Sequence, residues 1–363
     1  MDEQEAAAAR RAILSGWVTQ GPEVAAFERE FAEAVGAAHA CASSSCTTAL
    51  HLALLAVGVG AGDEVITVSH SFIASANAIR YCGATPVFVD IEASDRPHMS
   101  LDEARRSITP RTRAVMVMHY GGFAVDLPAW RGLADEHGLL LFEDAAHASG
   151  LGGVTGVGTD AAAYSFFTNK NMTTAEGGMV VVADEARRER VRLLRSHGMT
   201  TSTLDRDRGR ATGYDVVACG YNFRMDELRA ALGLVQIERL PGWNRTRVGL
   251  VARYRELLHE RLPEVGVPFD PQHPTSGHIM PTVLPERFDR AAIMASMRAS
   301  EVQTSVHYPA VHQFAYYRER FGDVRLPHTE VFSRRELTLP LHPALSPADV
   351  QRVVDALAAA ATR

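Results

Sequence analysis

Short apolar runs alternate with amphipathic stretches from about residue 22 to residue 240. Val65-Ile66-Thr67-Val68, Val87-Phe88-Val89, Ala114-Val115-Met116-Val117-Met118, Leu139-Leu140-Leu141-Phe142 and Met179-Val180-Val181-Val182 are of strand length. They do not alternate apolar with polar, the pattern of strands buried on both faces. Between them the helical period predicts helices over 47–57, 127–137 and 185–197. Strand and helix in this order predict an α/β fold, a mostly parallel sheet flanked by helices. Near Pro241-Gly242 the pattern changes. A helix over 243–262 is followed by a proline-rich stretch with weaker strands at 280–284 and 304–307, then a helix over 347–360 with Ser346 as its N-cap. At 363 residues the chain exceeds what one core usually organises. The division expected is a large α/β domain over 1–240 and a smaller C-terminal α+β domain over 241–363.

Composition narrows the classes. Apolar residues make up 46% and charged residues 22%, the range of a globular chain. There are 37 Lys+Arg against 43 Asp+Glu, a net charge of −6 with both signs interspersed, so no basic face suits nucleic acid. No run approaches a membrane span. The start, Met1-Asp2-Glu3-Gln4-Glu5, has no apolar signal core. Cys41, Cys46, Cys82 and Cys219 are far apart, with no Cys-x-x-Cys pair, so neither a disulfide framework nor a zinc site is expected. These features predict a cytoplasmic protein without metal. Gly58-Val59-Gly60-Ala61-Gly62 follows a helix and precedes a strand, the wrong order for a dinucleotide fingerprint.

In parallel sheets ligands gather at the carboxyl ends of strands, and the chemically suggestive residues lie there. Glu143-Asp144-Ala145-Ala146-His147 closes one apolar run. A carboxylate there either caps the next helix or holds the protonated ring nitrogen of an electron-sink cofactor. Lys170 lies in Tyr164-Ser165-Phe166-Phe167-Thr168-Asn169-Lys170, between an aromatic segment and a small-residue turn ending in Gly177-Gly178. A lysine is usually a solvated charge, but this setting suits a desolvated, nucleophilic amine. Ser43-Ser44-Ser45-Cys46-Thr47-Thr48 opens a helix, where hydroxyls and free amides either cap the chain or bind an anion. Phe72 follows a strand and either joins the core or stacks on a flat ring.

Together these residues resemble the DegT-type sugar aminotransferases, fold-type I pyridoxal-phosphate (PLP) enzymes. The matching segments occur in order over most of the chain. They are Ser15-Gly16-Trp17-Val18-Thr19-Gln20-Gly21-Pro22, Ser45-Cys46-Thr47 with the helix after it, Gly83 to Asp90, Glu143 to His147, Ser165 to Lys170, Gly220-Tyr221-Asn222-Phe223-Arg224-Met225 and Val306-His307-Tyr308-Pro309.

The resemblance implies a seven-stranded-type sheet, with Lys170 as the covalent cofactor lysine and proton shuttle. By the same likeness Asp144 holds the pyridinium, Phe72 stacks on the ring and His147 lies beside it. Ser165, Thr47 and the amide of Cys46 would bind the phosphate. Asn222 would reach the phosphate of a neighbouring subunit, implying a homodimer with shared sites. Thr19, Gln20, His307 and Tyr308 are expected on the substrate side. The reaction implied moves an amino group from L-glutamate to a keto sugar, a nucleotide-linked 4-keto-6-deoxyhexose. Alternatives are a 3-keto sugar or ketocyclitol, or a regulator of the same fold without turnover. A dehydratase branch has histidine at the lysine position, and Lys170 argues against it. The sequence departs from the family's pattern at Cys46, where glycine is commoner, and in lacking a short proline-containing N-terminal strand.

Overall fold

A computed structural model describes residues 1–362. The buried runs become strands β1 (His39–Ser43), β2 (Glu64–Val68), β3 (Thr85–Val89), β4 (Thr112–Met118), β5 (Leu140–Asp144), β6 (Ala161–Ser165) and β7 (Gly178–Val182). They form one sheet in the order β1-β7-β6-β5-β4-β2-β3. Neighbours from β6 to β3 are parallel. Strand β7 runs against both β1 and β6.

That reversal matters for the site. Gly178, where β7 begins, pairs with Ser43 and with Ser165, the last residues of β1 and β6. One edge of the sheet thus collects the carboxyl ends of six strands that share a direction and the start of β7. Gly178 must be glycine here, because a Cβ would lie 2.4 Å from the Ser45 carbonyl oxygen. The close approach that the Gly177-Gly178 pair permits is therefore between β7 and the start of the next helix.

The flanking helices used below are α1 (Glu3–Leu14), α2 (Pro22–Val35), α3 (Cys46–Ala56), α4 (Ile73–Tyr81), α5 (Leu127–His137), α6 (Glu185–Leu194), α7 (Glu227–Arg261), α8 (Arg290–Ala299) and α9 (Pro347–Ala361). Helix α3 buries Leu50, Leu52 and Leu54 against one face of the sheet. Helix α2 buries Phe27 and Phe31 against Tyr164 and Phe166 on the other. Strands β8 (Met280–Val283) and β9 (Glu336–Leu339) pair antiparallel beside a separate C-terminal core that includes Tyr254, Met297 and Leu357. Ser346 caps α9 through the Asp349 N–H, as expected. No helix among the described residues is long and apolar enough to cross a membrane.

Two expectations differ from what is observed. The helix expected at 243–262 begins at Glu227 and passes through Pro241 without a break. Proline costs such a helix about 3 kcal/mol, but Leu250, Tyr254, Leu257 and Leu258 are all buried. Each such side chain returns about 1.5–3 kcal/mol. The joint placed at Pro241-Gly242 thus lies inside a continuous helix, with α1 on its first half and α9 on its second. Residues 304–307 form a single bridge, Ser305 to Thr338, in place of a strand. The next N–H, that of His307, goes to the Glu336 carboxylate instead of a ladder.

Candidate active site

At the carboxyl edge lies a cavity of about 370 Å³ whose wall includes Cys46, Thr47, Phe72, Asp144, His147, Ser165, Lys170, His307 and Tyr308. Its size is that of a small-molecule site. The sheet edge and the C-terminal segment therefore bring together nine residues singled out from sequence.

One end of the cavity is built for an anion. Ser45 caps α3 by accepting the Thr48 N–H, and Thr48 returns a bond to the Ser45 N–H. This leaves the Cys46 and Thr47 amides without protein acceptors at the positive end of α3, facing the cavity. Ser165 Oγ accepts only the Phe167 N–H, so its own proton is free to donate.

The opposite requirement holds at Asp144. It is buried, and no cation pairs with it among the described residues. Ser75 Oγ donates to Oδ2 at 2.5 Å and the Ala146 N–H to Oδ1 at 3.1 Å. Burial pushes its carboxyl above the ordinary range despite the Ser75 bond. A buried carboxylate without a cation is costly. The site thus has room and charge for a protonated ring nitrogen.

Lys170 lies on the loop from β6 to β7. The neck of that loop is tied by the Phe166 N–H to Gly177 and the Thr174 N–H to Phe166. Next to Lys170, Asn171 donates to Asn244 on α7 and to the Ser276 carbonyl, and its oxygen accepts from His278 Nδ1. The lysine amine itself makes no hydrogen bond or ion pair to a described residue. Burial lowers its pKa to about 8, against the opposing charges of Cys46 and Asp144. An amine so placed is a nucleophile near neutral pH. Taken together, an uncompensated carboxylate, a free amine and an unfilled anion cradle fit PLP.

The Gly121 N–H donates to His147 Nδ1, so that nitrogen carries no proton. Burial keeps the ring neutral. The proton is therefore on Nε2, 2.8 Å from the Tyr308 hydroxyl, which accepts it and is free to donate its own. Phe72 is half exposed at the start of α4, with its ring 5.7 Å from that of Tyr308.

A single chain does not bring in every expected residue. Thr19 and Gln20 lie in the turn before α2, which is anchored where Glu227 accepts three N–H groups, from Gly21, Glu23 and Val24. Asn222 is exposed on the far side of a loop that also exposes Tyr214, Val216 and Val217. None of the three lines the cavity. In the stretch 201–214, Arg206 lies over Tyr214, Arg210 stands 3.9 Å from Asp205, and both are outside the cavity. Sequence reasoning missed Ser75, Asn244, Ser276 and His278.

The model of the DegT/DnrJ/EryC1/StrS aminotransferase family matches residues 1–358. Among solved structures, DesV of S. venezuelae in complex with a ketimine intermediate is 36% identical, with 99% of this chain and 95% of that one covered and a TM-score of 0.91. DesI, solved in the presence of its TDP-sugar product, is 33% identical, with 99% and 90% covered and a TM-score of 0.89. The PLP-form of the putative sugar aminotransferase Spr1654 from Streptococcus pneumoniae is 27% identical, with 100% and 97% covered and a TM-score of 0.91.

Proposed function

We propose that this chain, which belongs to the DegT/DnrJ/EryC1/StrS aminotransferase family, passes an amino group from L-glutamate to a nucleotide-linked 4-keto-6-deoxyhexose. It is a PLP-dependent sugar aminotransferase; the particular ketone and donor are our reading. The observation that carries the residue roles is the placing of Asp144 and Lys170 in one cavity, where each feels the other's charge but neither makes an ion pair with a described residue.

PLP, when bound, supplies a protonated ring that draws electrons from a bond at the amine-bearing carbon. In the proposed assignment Lys170 Nζ would hold the cofactor covalently and, once displaced by the donor's amine, would move a proton from the donor's α-carbon to the cofactor's exocyclic carbon. Asp144 keeps the ring nitrogen protonated, and Ser75 keeps Asp144 oriented. Thr47, Ser165 and the Cys46 amide bind the phosphate. Phe72 covers the ring and His147, fixed by Gly121 and Tyr308, flanks it. His307 and Tyr308 face the ketone. Release of 2-oxoglutarate before the ketone enters makes the scheme ping-pong.

We further propose a homodimer with shared sites. Asn222 would meet the phosphate bound by the other subunit, and Thr19 and Gln20 the substrate there. The exposed Tyr214, Val216 and Val217 beside Asn222 support this, since such clustered apolar residues favour contact with another chain. The carbon-4 assignment rests on His147 and the Ala175-Glu176-Gly177-Gly178 turn, which resemble the branch aminating that carbon.

The test is spectroscopic. Glutamate should convert the yellow enzyme to its colourless amine-loaded form, and a nucleotide 4-keto-6-deoxyhexose should restore the colour. Response only to a 3-keto sugar or ketoinosose would overturn the choice of ketone.

A further inference from the structure

Glu336 opens β9 and is fully buried, yet no cation pairs with its carboxylate among the described residues. Its Oε2 accepts the main-chain N–H of His307 at 2.8 Å. Its Oε1 is 2.5 Å from Thr338 Oγ1, which is 2.9 Å from His307 Nδ1. Carboxyl, hydroxyl and imidazole thus form a chain. Tyr120 fixes the other side of His307 by donating to its carbonyl at 2.7 Å. His307 Nε2 makes no hydrogen bond to a described residue. The ring stands in the wall between the cofactor cavity and an adjoining chamber of about 450 Å³.

Nδ1 also has Ser305 Oγ at 3.4 Å, a longer contact than that to Thr338. A hydroxyl has one proton to give, so the chain through Thr338 has two satisfied arrangements. With Glu336 ionised, Thr338 donates to it, His307 Nδ1–H donates to Thr338, and Nε2 is a bare acceptor. With Glu336 protonated, the carboxyl donates to Thr338, Thr338 donates to Nδ1, and Nε2 carries the hydrogen. We infer that Glu336, acting through Thr338, is a positioning residue that decides whether His307 presents a donor or an acceptor to the ketone substrate. This rests on the proposed reading of the cavity as a keto-sugar site.

The groups facing Glu336 are Arg290 from α8, Tyr120 from the turn after β4, and His307 and Tyr308 from their loop. Arg290 is occupied by the carbonyls of Ser333 and Glu336. Facing His307 are Lys170, His70, His147 and His278. Burial pushes the Glu336 carboxyl up to about 8 and holds His307 down at about 4. His307 is therefore neutral at physiological pH, and only the place of its proton changes. Below about pH 8 Glu336 is protonated and Nε2–H donates; above it Nε2 accepts. The ketone oxygen of the substrate only accepts and so needs the donor, whereas a hydroxyl can serve either form.

Glu336→Gln gives a defined alternative. Its oxygen must accept the His307 N–H, so its amide donates to Thr338 and locks the donor form at every pH. Thr338→Val cuts the chain. The experiment compares kcat/KM for the ketone from about pH 6.5 to about pH 9 in the wild-type holoenzyme and both variants, with the cofactor's absorbance followed in each. The wild type should lose about five- to tenfold, the worth of one hydrogen bond, through an inflection near pH 8. Lys170, whose free amine also lies at about 8, contributes to all three proteins alike. The ratio of wild-type to variant kcat/KM should therefore carry this change of about five- to tenfold for both variants, and Thr338→Val decides alone if Glu336→Gln does not fold. A ratio of wild-type to variant kcat/KM that stays constant with pH would overturn the inference. The underlying reading fails separately, through absence of the lysine-linked cofactor band in the wild type.

Discussion

Lys170→Ala is expected to lose at least about a thousandfold in kcat, because it removes both the covalent anchor and the general base. The fold should survive. The amine has no protein partner, so its loss breaks no bond, and truncating a desolvated amine removes a cost of burial. The melting temperature of the cofactor-free variant should match or exceed that of the wild type. Lys170→Arg should be as inactive, since a guanidinium keeps its proton. A variant with much lowered activity and a collapsed melting transition would instead point to a structural lysine.

Asp144→Asn separates chemistry from stability in the same way, with opposite signs. The amide retains the shape and a bond to Ser75, but it no longer favours a protonated ring nitrogen. Charge-assisted bonds of this kind contribute about 1.5–3 kcal/mol, so kcat should fall by about ten- to a hundredfold or more. Without cofactor, the substitution removes a buried carboxylate that no described cation balances, and the protein should melt at a higher temperature. With the wild-type side chain, folded-state burial raises the carboxyl's pKa. Between its unfolded and folded values the native state binds more protons, so stability falls as pH rises through that window. The stability of Asp144→Asn relative to the wild type, both without cofactor, should therefore increase as pH rises, which calorimetry across about pH 4 to 7 would check. Equal pH dependence in both proteins would mean that Asp144 already has a compensating charge.

Much of the fold was legible because five strands are continuous apolar runs. Two were not. His39–Ser43 and Ala161–Ser165 are built largely of alanine, serine and cysteine, which carry little strand preference. They are strands because each is paired with β7, and pairing is not a local property. The start of α7 was missed for a related reason. Pro241-Gly242 is a strong local stop, overridden by burial further along the helix.

The site divides along the same line. Asp144 and Lys170 were readable because strand ends and the turns after them leave a local mark. Ser75 was not, since it meets Asp144 from 69 positions away. The Asn171 network draws on Asn244, Ser276 and His278, which lie 73 to 107 positions further along the chain. Glu336 looks in sequence like any strand residue, and only its contact with His307 sets it apart. Thr19, Gln20 and Asn222 came from resemblance alone, and one chain does not carry them to the cavity.

The central claim is that Lys170 is the residue to which the cofactor is joined. Reduction of the PLP-loaded protein with borohydride, followed by digestion and peptide mapping, tests it directly. The account predicts one labelled peptide with the added mass on Lys170, and none after prior exchange of the cofactor to its amine form by glutamate. Lys170 is the chain's one lysine, so label on the Met1 α-amine, or no stable label in protein that remains active, would contradict it.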